Sequence, residues 1–172
     1  MVKKVQYEVL DKIGDIEIRK YPELVLASVY GKDDNTAFRI LFSYITGNNQ
    51  SGKNIAMTAP VVSSGQTEDA SLVISSEDFF TFVMPADYDL DRLPEPRDKR
   101  IDIHVQQEKI FAVLRFSGRT TKQKVKQKEN ELLKLLSQNN YKMRGKPFLM
   151  RYNNPIMPGF LRTNEVGIEV IL

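Results

Sequence analysis

One order of elements occurs twice in this chain. The apolar stretch Leu24-Val25-Leu26-Ala27-Ser28-Val29-Tyr30 runs into Gly31, then a helical stretch, then Ile55-Ala56-Met57-Thr58-Ala59-Pro60-Val61. Later, Lys109-Ile110-Phe111-Ala112-Val113-Leu114-Arg115-Phe116 runs into Gly118, a second helical stretch, the strand Phe148–Tyr152 and Pro155. Gly31 and Gly118 stand 87 residues apart. Side chains differ between the halves, so an arrangement repeats rather than a sequence. Two such αβ units complete one sheet system and leave a pseudo-twofold cleft. The expected class is α+β, one domain over 1–172, with halves at approximately 1–90 and 98–172.

Strand signals fill the rest. Residues 5–10 and 15–20 alternate apolar and polar around a turn at Lys12-Ile13-Gly14-Asp15. Residues 54–63 read as a strand interrupted or ended near Pro60, which has no backbone donor. Phe82-Val83-Met84-Pro85 echoes it, and Met57 and Met84 suit irregular apolar gaps or a ligand face. Leu72-Val73-Ile74 and Phe79–Val83 are further strands, joined to the first by a hairpin-type loop over Ser64–Asp69. Residues 87–100, with Pro94 and Pro96, read as an exposed connector between the halves.

The first helix is expected over about Asn35 to Thr46, with Asp33, Asp34 or Asn35 as its cap and Gly47 as its stop. At about 100° per residue, Thr36, Arg39, Ser43 and Thr46 form a polar stripe. Ala37, Phe38, Ile40, Leu41, Phe42, Tyr44 and Ile45 spread over an arc of about 200°, wider than one core-facing stripe needs. The surplus calls for another element, a partner or a ligand. A second helix runs from Thr120 or Thr121 to about Asn139, with Val125, Leu132, Leu133 and Leu136 inward. Lys122, Lys124, Lys126 and Lys128 crowd its positive end, as a solvated face or a docking surface for something acidic.

The residues Ile55–Val61, Phe82-Val83-Met84-Pro85, Ile16-Glu17-Ile18-Arg19-Lys20-Tyr21-Pro22 and Phe160-Leu161-Arg162-Thr163-Asn164-Glu165-Val166 closely resemble signatures of the SOUL haem-binding family. The resemblance covers nearly the whole chain. It implies a distorted antiparallel β-barrel flanked by two helices, and a haem or other tetrapyrrole held without covalent attachment. It implies a site between the first helix and the C-terminal loop, at Arg39, Phe42, Tyr44, Ile156 and Met157. Each has a plainer reading: Arg39 as a solvated charge, Phe42 and Tyr44 as core, Ile156 and Met157 as loop packing. The family often carries a basic residue near the position of Met157, where this chain has a soft potential donor to iron.

Other chemistry has little foothold. With no Cys, thiol nucleophiles and zinc thiolates are excluded. The one histidine, His104, alternates with Ile101, Ile103 and Val105 and is expected with Asp102 and Gln106 on the opposite, wet face, not as an iron ligand. Gly47–Asn54 approaches a P-loop, but Asn54 stands where magnesium needs Ser or Thr, and the stretch follows a helix. A net charge of +3 is too small to argue for nucleic acid, and no run would span a bilayer. The absence of a signal-peptide core at the N-terminus suggests a cytoplasmic setting. The expected function is a non-catalytic tetrapyrrole carrier, buffer or sensor. The alternatives are an effector-binding module for other amphipathic molecules and a small-molecule hydrolase in the same cleft.

Overall fold

Period-two alternation gives the central strands two distinct faces, one toward a helix and one toward the concave side. The computed structural model describes residues 2–64, 75–153 and 157–172. The strand elements are β1 (Lys3–Lys4), β2 (Glu8–Ile13), β3 (Ile16–Tyr21), β4 (Leu24–Tyr30), β5 (Thr58–Ala59), β6 (Val61–Ser63), β7 (Phe79–Val83), β8 (Asp102–Gln106), β9 (Lys109–Ser117), β10 (Lys142–Arg151) and β11 (Thr163–Ile171). The helices are α1 (Asp34–Ile45) and α2 (Lys122–Gln138). In β4, Val25, Ala27 and Val29 pack toward α1, whereas Leu24 and Leu26 face the other way into a cavity. In β9, Ile110, Ala112, Leu114 and Phe116 pack toward α2, and Lys109 and Phe111 face that same cavity.

Nine strands form one antiparallel sheet in the order β2-β3-β9-β11-β10-β6-β7-β4-β8. Its ends, β2 and β8, are not bonded to each other, so the α+β barrel is an open, curled half-barrel. The pseudo-twofold lies between β10 and β6. About it, β9-β11-β10 answers β4-β7-β6. Each half's leading strand is exchanged: β3 pairs with β9, and β8 pairs with β4. Each helix covers its own cluster on the convex side. Gly31 and Gly118 hold φ of 66° and 106°, a region open to glycine, where strand gives way to helix.

Several boundaries differ from expectation. The strand expected over 54–63 survives as β5 and β6 on either side of Pro60. The strand expected to start at Phe148 begins at Lys142, and Pro147 sits where the pairing with β11 shifts between Arg144 and Phe148. A proline without a donor is accommodated at such an irregularity. Residues 87–100 are not a plain exposed connector. Leu93 is buried, Pro94 O accepts the Tyr44 hydroxyl at 2.7 Å, and Arg97 Nε donates to Asn49 O at 3.0 Å. Asn49 organises the loop after α1 through its own amide, donating to Tyr44 O and Lys53 O and accepting from Ser51 N and Lys53 N. Leu72-Val73-Ile74 and most of the Ser64–Asp69 loop lie outside the described residues.

Candidate functional site

The outer face of α1 carries the first candidate surface. Asp33 caps the helix, accepting from Thr36 N at 2.9 Å and from the Thr36 hydroxyl at 2.7 Å. Ala37, Ile40, Leu41, Tyr44 and Ile45 are buried, so the core absorbs most of the wide apolar arc. Phe38 stacks on Phe42 with centroids 5.5 Å apart and an interplanar angle of 13°, and meets Phe80 and Phe82 edge-on. Phe42 is therefore the outermost ring of an aromatic stack rooted in the core, and it is 45% exposed. Arg39, one turn earlier, is exposed and makes no ion pair among the described residues.

The other implied residues fall differently. Tyr44 is 0% exposed, and burial pushes its hydroxyl up to about 12. It holds Pro94 and presents nothing to a surface ligand. Met157 is 37% exposed, and its carbonyl accepts from Arg162 Nε at 2.9 Å. Phe160 and Leu161, in the short turn of 3-10 helix over Gly159–Leu161, are strongly exposed beside it in sequence. Ile156 lies outside the described residues. The strand that leads into this loop is tied to the start of α1, where Arg151 Nη1 donates to Asp34 Oδ2 at 2.7 Å. Burial nonetheless raises the Asp34 carboxyl above its usual range, against the opposing pull of Arg151.

The concave face of the half-barrel is the second feature. It contains a cavity of about 230 Å³ lined by Leu24, Leu26, Val62, Phe79, Phe111, Phe148 and Met150. Lys109, Arg144, Lys146 and Glu169 stand among its lining residues, as do Tyr21 and Val5. The N-terminal segment straps this face. β1 pairs with β5 in parallel, Val5 N donates to Ala59 O at 2.8 Å, and the Tyr7 ring lies 4.0 Å from the Arg19 guanidinium.

Beyond Tyr21 lies a buried ion pair. Arg19 donates Nη1 to Glu165 Oε1 at 2.9 Å and Nη2 to Oε2 at 2.5 Å. Arg19 Nη1 also donates to the Tyr21 hydroxyl at 3.0 Å, and Glu17 and Arg115 approach the pair from either side. Burial opposes the Arg19 charge, but Glu165 and Tyr21 more than offset it and raise its pKa. Burial pushes Tyr21 up to about 12 despite the nearby Arg19. Burial, then the charge of Glu165, raises Tyr152 well above an ordinary tyrosine. Sequence reasoning missed this network because its two central residues are 146 positions apart.

His104 shares its face with Leu26, its cross-strand partner, and Gln106, so it points to the concave side at the margin of the cavity. Its Nδ1 lies 3.0 Å from Asp102 Oδ2 without hydrogen-bond geometry. Among the described residues no cluster of His, Asp or Glu would hold a metal ion. No helix among them is long and apolar enough to cross a membrane.

Two helices on the convex side and a cleft on the concave side define an α+β half-barrel. The chain matches the SOUL heme-binding protein family over residues 2–169 and belongs to that family. Solved structures agree in fold. The C-terminal domain of EcmrR superposes with a TM-score of 0.60 at 11% identity, covering 96% of this chain and 98% of that one. A hydrolase from Listeria innocua superposes at 0.62 and 10% identity, covering 91% of this chain and 92% of the other. At these identities the likeness concerns the fold alone. No curated protein matches significantly.

Proposed function

We propose that the protein binds haem or a related tetrapyrrole non-covalently, as a carrier, buffer or sensor, on the outer face of α1. Phe42 supplies the flat apolar contact, Arg39 the charge for a propionate, and Met157 the edge from the C-terminal loop. The observation that carries the reading is the stacked Phe38–Phe42 pair beside Arg39, which makes no ion pair among the described residues, in a member of a haem-binding family. An aromatic ring backed by the core holds its orientation at little entropic cost, which suits a planar partner. Burying about 400 Å² of porphyrin yields on the order of 10 kcal/mol at ~25 cal/mol per Å². Association consumes roughly 4–15 kcal/mol, so apolar contact leaves at most about 6 kcal/mol, a Kd of some tens of micromolar. One charge pair of about 1 kcal/mol brings it to roughly ten micromolar without iron ligation. A mode without ligation also accepts metal-free porphyrin.

The test is absorbance titration with haemin and protoporphyrin. Both should bind, and Phe42→Ala should weaken both by about tenfold with melting followed alongside. Binding of haemin but not protoporphyrin would contradict a mode without ligation. The hydrolase alternative has less support, because both oxygens of Glu165, the buried carboxylate of the concave face, are taken by Arg19.

A further inference from the structure

We infer that the cavity on the concave face is a second ligand site, specific for a compact amphipathic carboxylate. The argument joins shape to charge. At about 230 Å³ the cavity falls below the roughly 300–1,000 Å³ that holds a drug-sized molecule, so its occupant is smaller than a tetrapyrrole. Its interior walls, Leu26, Val62, Phe79, Phe111, Phe148 and Met150, take an alkyl or aryl body. Its charged lining is unbalanced, with three cations against one carboxylate. Glu169 engages two of them, Lys109 at 3.7 Å and Arg144 at 3.5 Å. Among the described residues Lys146 pairs with Glu77 alone, at 3.7 Å, and both side chains are almost fully solvated. An exposed pair of this kind holds little energy and yields readily to a new anion. A carboxylate arriving here can displace Glu77 from Lys146 and finds Arg144 half-engaged, whereas an ammonium meets net repulsion.

The site lies on the opposite face of the sheet from α1, so it stands whether or not Arg39 and Phe42 hold a tetrapyrrole. The experiment is calorimetric titration of the full chain with butyrate, hexanoate and octanoate, and with octylammonium as the charge-reversed probe. Affinity should rise by roughly tenfold for each added pair of methylenes, following the apolar surface buried. Octylammonium should bind at least about tenfold more weakly than octanoate. Lys146→Glu alters an exposed side chain, so it should leave the melting temperature unchanged and weaken octanoate by about three- to tenfold. Arg39→Glu should leave octanoate binding unaltered, and haemin should not compete with it. Absent octanoate binding, equal binding of octylammonium, an unaffected Lys146→Glu variant, or competition by haemin would each overturn the inference.

Discussion

Arg19 and Glu165 meet diagonally across β9, the strand between their own, with both carboxylate oxygens held by one guanidinium at 2.9 and 2.5 Å. The side chains are 2% and 0% exposed. Desolvating two ions is costly, and the cost is offset only where every donor and lone pair is answered. Here Tyr21, Glu17, Arg115 and the Tyr7 ring supply those answers. The pair locks the exchanged strand β3 onto the other half of the sheet. Glu165→Gln or Arg19→Met alone should therefore cost about 3–5 kcal/mol, because each leaves a buried group unanswered. The double variant Arg19→Met/Glu165→Leu should cost well below the sum of the singles. Urea unfolding in a double-mutant cycle measures the coupling, and additive losses would show that the two residues act independently.

The cap of α1 gives a pH-dependent prediction. Two hydrogen bonds from Thr36, side chain first and backbone second, lower the Asp33 carboxyl below its ordinary 3.8. A depressed folded value means stability present above the unfolded value and lost as pH falls through the folded one. Asp33→Ala should cost about 1 kcal/mol at neutral pH. The difference between wild type and variant should shrink below about pH 4, where the wild type protonates. A difference that holds constant down to pH 2 would show that the charge contributes nothing.

Much of this arrangement was legible in the chain, and the failures share one cause. The alternation of Val25, Ala27 and Val29 with Leu24 and Leu26 marks two faces, and the repeat around Gly31 and Gly118 marks two helix-bearing units. The same alternation places His104 on the face away from Ile103. Period-two patterning makes that face look like open water because it says nothing of curl, and it is the curl that turns the face into the wall of a concavity. The arc on α1 looks too wide for the core for a similar reason. Phe80, Phe82 and the segment around Pro94 wrap farther around the helix than a flat sheet would. The exchange of β3 and β8 left no local trace at all, since it depends on which partner completes an edge.

Gly167 tests the shape of the cavity. A Cβ at this position would lie 2.7 Å from Cζ of Phe148. Phe148 thus packs its ring on bare backbone and meets Phe111 edge-on at 5.0 Å. Gly167→Ala should drive the ring into the cavity, cost about 1–3 kcal/mol and weaken octanoate binding. Gly167→Ala/Phe148→Leu should recover part of the stability by removing the clash. Unchanged melting in the single variant would mean that the ring has room to retreat elsewhere.

Arg39 provides the charge test of the tetrapyrrole reading. It stands on the solvent side of α1, one turn before Phe42. A propionate reaching Arg39 forms a partly exposed pair, so the contribution is modest and screened by salt. Arg39→Glu replaces attraction by repulsion and should weaken haemin binding by about 1–2 kcal/mol, roughly tenfold. Raising ionic strength should weaken the wild type more than Arg39→Gln, because only the wild type has a charge pair to screen. The dimethyl ester of protoporphyrin, which lacks the carboxylates, should bind the wild type and Arg39→Gln alike. If Arg39→Glu binds haemin, protoporphyrin and the ester as the wild type does, the tetrapyrrole does not sit on this face of α1.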